Sequence, residues 1–149
     1  MREIKNMIIV GSTAKNAGKT TLASKIIAKY SHRCDVYAIK ISISEEGDIS
    51  DEKFEIMEEK NPNIGKDTSK FLAAGAKKSF LIRSTEKSIL KAFDKVIKNI
   101  PKNSIIVCES TVLAKYISPA LFILIKCENS NIKPIAKQVE RYADIILKN

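Results

Sequence analysis

Long apolar runs are missing from this chain of 149 residues. None approaches the roughly 18 residues that a membrane span requires. The first apolar stretch, Met7–Val10, is too short for the core of a secretory signal. The chain therefore reads as cytoplasmic. Cysteine is scarce too: Cys34, Cys108 and Cys127 are widely spaced and form no C-x-x-C pair. That pattern argues against a zinc site or a disulfide framework and points to buried, reduced thiols. Histidine occurs once, as His32 beside Arg33, and carries no catalytic assignment. Internal repeats and low-complexity linkers are lacking, so a single domain over residues 1–149 is expected.

Charge is abundant but scattered. Lys and Arg number 26 against 17 Asp and Glu, a formal net charge of +9. Such a balance favours anionic partners, nucleotides among them. There is no run of basic residues and no interleaving of basic with aromatic residues, so no specific nucleic-acid partner is expected. The 44% apolar content furnishes a core for one domain.

The most informative stretch is residues 7–21, MIIVGSTAKNAGKTT. An apolar strand (Met7–Val10) meets a small-residue loop, then Gly18-Lys19-Thr20-Thr21, then a helix-like segment. That is the layout of a phosphate-binding loop, or P-loop, in which backbone N–H groups and a helix N-terminus face a phosphate chain. Thr13, Lys15, Asn16, Ala17, Gly18, Lys19, Thr20 and Thr21 are the candidate nucleotide contacts. Lys19 reaches the β- and γ-phosphates in such a loop, and the Thr20 hydroxyl ligates Mg²⁺. The pattern G-x-x-x-x-G-K-S/T is not met strictly, because Thr13 stands where it has glycine and the nearest upstream glycine is Gly11. A variant with an extra lysine five residues before the main one has Ala14 at that place, with Lys15 one residue later.

Periodicity predicts alternating elements. After the first strand come a helix over 19–30 with Leu22, Ile26, Ile27 and Tyr30 on one stripe, and a strand over 35–43. An acidic, polar stretch follows, with a short helix predicted over 51–60. Next are a helix over 68–74 closed by Gly75, a strand over 79–82 and a helix over 85–100. Two continuous apolar strands, 104–108 and 120–125, suit a sheet covered on both faces. A helix over 132–142 and a strand over 143–147 complete the chain. The expected fold is α/β: three layers, a mainly parallel sheet with right-handed crossovers, and a P-loop NTPase architecture.

A second signal is Glu109, at the carboxyl end of the apolar strand SIIVC. A carboxylate there suits Mg²⁺, which keeps several waters and takes only one or two carboxylates. Ligands of such sheets gather beyond the carboxyl strand ends. Lys19 and Glu109 are thus the candidate catalytic pair, and Thr20 and Glu109 the candidate metal ligands. Lys40, in the second strand, and Lys66 and Asp67, at a helix start, form a third candidate group for binding an anion. From spacing alone, a helix cap at Asp67 or Thr68 is the favoured reading over anion binding.

The segments GSTAKNAGKTTLASKII, AIKIS, GKDTSKFLAAGAKKSFLIRS, IIVCES, SPALFILI and KPIAKQVERYADIIL together resemble MobB-type P-loop proteins, accessory factors of molybdopterin-guanine dinucleotide assembly. Nearly the whole chain is covered, except residues 44–64. The resemblance implies GTP or a related nucleotide at Gly18, Lys19, Thr20 and Thr21, Mg²⁺ near Thr20 and Glu109, and a homodimer. It also implies a partner enzyme of molybdenum cofactor assembly, which transfers a guanylyl group to molybdopterin. Two departures bring the chain nearer to small uncharacterised relatives. Lys40-Ile41-Ser42-Ile43-Ser44 replaces a K-H-T-H-like run, and Cys108-Glu109-Ser110 replaces V-E-G.

The competing expectation is a small-molecule kinase or ATP-dependent ligase, similar to dethiobiotin synthetase in its longer loop before GKT. Lys40, Lys66 and Arg83 would then hold an anionic acceptor. The four arginines (Arg2, Arg33, Arg83, Arg141) do not cluster as in a kinase lid. No N-K-x-D element for reading guanine is present, so the bases of GTP and ATP are not distinguished by motif.

Overall fold

Every second residue of the central strands points to the same face of the sheet, and two separate apolar clusters result. The molecule, a computed structural model, is described for residues 1–44, 53–128 and 131–149. Among these, seven strands form one sheet: β1 (Arg2–Ser12), β2 (Val36–Ile43), β3 (Phe54–Glu59), β4 (Lys78–Ser84), β5 (Ile105–Glu109), β6 (Ile117–Lys126) and β7 (Ile145–Lys148). Their order is β3-β4-β2-β5-β1-β6-β7, and every pairing is parallel except β3 with β4. The helices are α1 (Lys19–Tyr30), α2 (Asp67–Ala74), α3 (Ile89–Ile97) and α4 (Pro134–Val139).

Met7 and Ile9 of β1, Tyr37, Ile39 and Ile41 of β2, and Ile106 and Cys108 of β5 join Phe93 of α3 and Val139 of α4 in one cluster. Val10, Val36, Ala38 and Val107 join Ala23 and Ile27 of α1 and Phe71 of α2 in the other. The sheet thus lies between two helical layers, and the expected α/β, mainly parallel, three-layer arrangement is what the chain adopts.

The differences from expectation lie at the sheet edges and helix ends. The segment 51–60 read as a helix; Phe54–Glu59 is an antiparallel edge strand, while residues 51 and 52 lie outside the described part. Phe54 and Ile56 sit opposite Ser84 and Ile82 of β4, so cross-strand pairing overrides local propensity. Helix α3 starts at Ile89, after a turn in which Thr85 and Ser88 bond to each other. Helix α4 starts at Pro134, whose fixed φ and missing N–H suit a first turn, and gives way to a 3-10 turn at Glu140. The cysteines are unpaired, but only Cys108 is buried; Cys34 and Cys127 are half-exposed, contrary to the expectation of buried thiols.

Gly75 ends α2 with φ +119°, and its N–H bonds to the Leu72 carbonyl. A Cβ there would meet Ser31 Oγ at 2.6 Å. Gly75→Ala is expected to destabilise the protein by about 1 kcal/mol or more, through the left-handed φ and the contact. Thermal denaturation checks this; an unchanged midpoint would contradict it.

Candidate functional site

The strand register brings the two main candidates together. Lys40 of β2 is the direct neighbour of Glu109 of β5, and Glu109 in turn neighbours Val10 of β1. Lys40 shares a sheet face with Ala38, and Glu109 with Val107, the face covered by α1 and α2. At the carboxyl end of these strands both side chains therefore meet the N-termini of α1 and α2.

The result is a chain of polar contacts. Thr20 Oγ1, in the first turn of α1, donates to Glu109 Oε1 at 2.7 Å. Lys40 Nζ lies 3.5 Å from Glu109 Oε2 and also donates to Asp67 Oδ2, at the start of α2. Glu109 is 3% exposed, so its charge is held by partners rather than by water. Burial works against the Lys40 ammonium, but the bond to Asp67 and the charge of Glu109 outweigh it, and its pKa is raised. Burial likewise works against the Asp67 carboxylate, yet Lys40 holds its pKa below the ordinary value of 3.8. Neither Asp67 nor Thr68 caps α2 through its side chain: Lys66 is the N-cap residue, and Thr68 Oγ1 bonds to Glu59. The cap reading is thereby overturned for both.

A stability consequence follows with a definite sign. Asp67 has a lowered pKa in the folded protein, so its contribution is present above the ordinary carboxylate range. It is lost as pH falls through the lowered value. Melting temperatures of wild type and Asp67→Asn are expected to differ at pH 6 and to converge as the pH falls through the lowered value. A third of the Asp67 side chain is exposed, so the difference should stay under about 1 kcal/mol. A gap that widens on acidification would contradict the pairing.

The loop between β1 and α1 is strapped on three sides. Thr13 N–H donates to the Ile125 carbonyl, the Thr13 carbonyl accepts from Lys133 N–H, and Thr13 Oγ1 accepts from Cys127 N–H. Thr13 is 1% exposed; its hydroxyl anchors the loop to Cys127 just after β6, and its backbone carbonyl anchors it to Lys133 just before α4. This explains why threonine serves where the common pattern has glycine. Asn16 and Gly18 turn the chain with φ of 58° and 99°. Gly18 N-caps α1 without a side-chain bond, and the first turn contains no acidic residue. The first-turn N–H groups thus lack a side-chain cap, an arrangement that suits an anion.

Lys19 is half-buried beside this turn. Burial, then repulsion from Lys133 and Lys40, lowers its pKa against the opposing pull of Glu109. Its cluster is short of negative charge. Lys15, Lys19, Lys40, Glu109 and Lys133 line one cleft of about 590 Å³ across the carboxyl edge of the sheet. Asn16 and Thr21 are exposed and Ala17 is buried within the loop. Lys66 and Arg83 are exposed and do not line the cleft, so of the three cations assigned to an acceptor only Lys40 faces it.

Sequence reasoning missed Lys133 and the apolar side of the cleft, formed by Ile43, Val112 and Ile135. Only the Lys-Pro pair opening a helix marked the former, and nothing in the spacing marked the latter. Among the described residues, no group of three or more His, Cys, Asp and Glu side chains is placed to hold a metal ion. The oxygen donors present, Thr20, Glu109 and Asp67, fit a hard cation that keeps much of its water. No described helix is long and apolar enough to cross a membrane. Comparison with protein-family models, curated proteins and solved structures found no match.

Proposed function

We infer that the chain binds a nucleoside triphosphate at the loop 13–18 and the first turn of α1, with Mg²⁺, and hydrolyses it slowly. The observation that carries this reading is that the Thr20–Glu109–Lys40–Asp67 contacts join the uncapped N-terminus of α1 to the strand ends, beside a cleft lined by Lys19, Lys40 and Glu109. A phosphate chain supplies the negative charge that the desolvated Lys19 lacks. Thr20, Glu109 and Asp67 would hold the Mg²⁺, which supplies charge neutralisation of the transferring phosphoryl group.

In this reading Lys19 steadies the β- and γ-phosphate oxygens, and the backbone N–H groups of the first turn orient the chain. Lys40 holds Asp67 ionised and, through its contacts with both carboxylates, keeps Asp67 and Glu109 in position. Buried Glu109 orients the attacking water beside the γ-phosphate. GTP as the preferred nucleotide, the homodimer, and the accessory role in molybdopterin-guanine dinucleotide assembly rest on the MobB-type resemblance.

Phosphate release from purified protein tests the chemistry. Release from GTP or ATP that needs Mg²⁺ and stops on chelation is expected. Release that is indifferent to Mg²⁺ would overturn the metal-assisted reading.

A further inference from the structure

A second cavity, of about 690 Å³, lies at the amino end of the sheet, opposite the phosphate loop and beside the last turn of α3. Arg2, Glu3, Ile4, Lys5 and Asn6 of β1 line it one after another. Successive residues of a strand face opposite sides of the sheet, so a cavity touched by all five runs along the strand's edge. The pairing agrees. β6 lies against Arg2–Ile4 on one side, but β5 meets β1 only from Met7 onward. The residues before β5 do not fill the gap. Ser104 N–H donates to the Pro101 carbonyl, and the Ser104 carbonyl accepts from Asn6 Nδ2 at 2.9 Å, which closes the groove where β5 begins. Among the described residues, no main-chain group of Arg2–Asn6 bonds to that segment.

The groove has an apolar floor and a cationic rim. Ile100 and Ile106 belong to the larger core cluster, and Ile4 and Ile97 pack against it. Arg2 on the rim is paired with Asp94. The ammonium groups of Lys5, Lys98 and Lys102 are exposed, with no hydrogen-bond or ion-pair partner among the described residues. Of the two carboxylates lining the groove, Asp94 is taken by Arg2, and Glu3 alone stands against three lysines.

We propose that this groove takes an extended acidic peptide segment of another protein, which adds as a strand along Arg2–Asn6. The proposal is independent of the nucleotide reading. An open strand edge presents N–H and C=O groups together, and a peptide main chain supplies partners for both at the matching spacing. A small carboxylic acid supplies acceptors only. Aliphatic side chains of the segment lie on Ile4 and Ile97, and its carboxylates meet Lys5, Lys98 and Lys102. At about 3.3 Å per residue the open edge is roughly 16 Å long, room for a segment of about five residues. A second copy of this chain is the poorer occupant, because it brings a net charge of +9 to a rim that is already cationic.

The test uses the full chain and capped hexapeptides: alternating Glu and Val, alternating Lys and Val, and the Glu-Val peptide N-methylated at every residue. Calorimetry measures binding, and amide hydrogen exchange locates it. Expected are saturable binding of the Glu-Val peptide, slowed exchange within Arg2–Asn6, and at least tenfold weaker binding of the other two peptides. Lys5→Glu and Lys102→Glu, at exposed positions, should each weaken binding at least threefold while the melting temperature stays unchanged. No binding of the Glu-Val peptide, or exchange slowed elsewhere only, would overturn the site. Equal binding of the N-methylated peptide, or of hexanoate, would overturn strand addition. Self-association of the chain that slows exchange at the same amides without peptide would give the groove to a second copy and overturn the proposal.

Discussion

Lys19→Ala is expected to abolish triphosphate binding while leaving the fold intact. Lys19 is a half-buried cation, and its pKa is lowered chiefly by burial and then by Lys133. A bound phosphate chain would reverse both penalties, by neutralising the local charge and accepting hydrogen bonds. Loss of a desolvated charge contact of this type costs about 2–5 kcal/mol, or roughly thirtyfold to several thousandfold in affinity. Burial and Lys133 disfavour the charged form of Lys19 in the folded protein without ligand, so losing the ammonium does not cost the fold an ion-pair contribution. The mutant is therefore expected to remain folded, as thermal denaturation would check. Normal nucleotide affinity in Lys19→Ala would remove the phosphate loop from the account.

Glu109→Gln is the second large effect. Glu109 accepts from Thr20, faces Lys40, and is almost fully buried at the end of β5. The amide keeps the shape but removes the charge, so Lys40 retains Asp67 alone as its carboxylate partner. Turnover dependent on Mg²⁺ should fall by about 10- to 100-fold, the range for lost groups that position a metal site. Nucleotide binding without Mg²⁺ should change much less, since Lys19 and the first-turn N–H groups remain. An unchanged rate would reduce Glu109 to a residue that pins β5 to α1 and β2.

Much of this arrangement was legible in the chain. The strand–loop–helix order around Gly18-Lys19-Thr20 and the continuous apolar runs of β5 and β6 reflect local rules, namely period, glycine placement and burial on both faces. Glu109 was found because it ends such a run. What escaped depends on pairing. β1 reads as four residues but spans Arg2–Ser12; only its apolar part, from Met7, is flanked on both sides by β5 and β6, and the polar residues before it pair with β6 alone. β3 reads as helical because Glu55, Glu58 and Glu59 mask the Phe54–Ile56 alternation, and an antiparallel partner distant in sequence decides the matter.

The same holds at the site. Asp67 reads as a helix cap from its neighbours, yet the β2 and α2 positions deliver Lys40 to it. Lys133 reaches the cleft because its backbone is bonded to Thr13, a contact that no spacing rule encodes. Lys66 and Arg83, chosen for their charge, are exposed and do not line it, as surface lysines and arginines commonly do not.

A triphosphate held with Mg²⁺ by the loop 13–18 and Lys19 is open to calorimetric titration of GTP and ATP, each with and without Mg²⁺, into wild type and Lys19→Ala. Binding that Mg²⁺ strengthens and that disappears in the mutant is expected, with GTP preferred over ATP under the MobB-type resemblance. Binding of neither nucleotide by the wild type, or equal binding by the mutant, would contradict it.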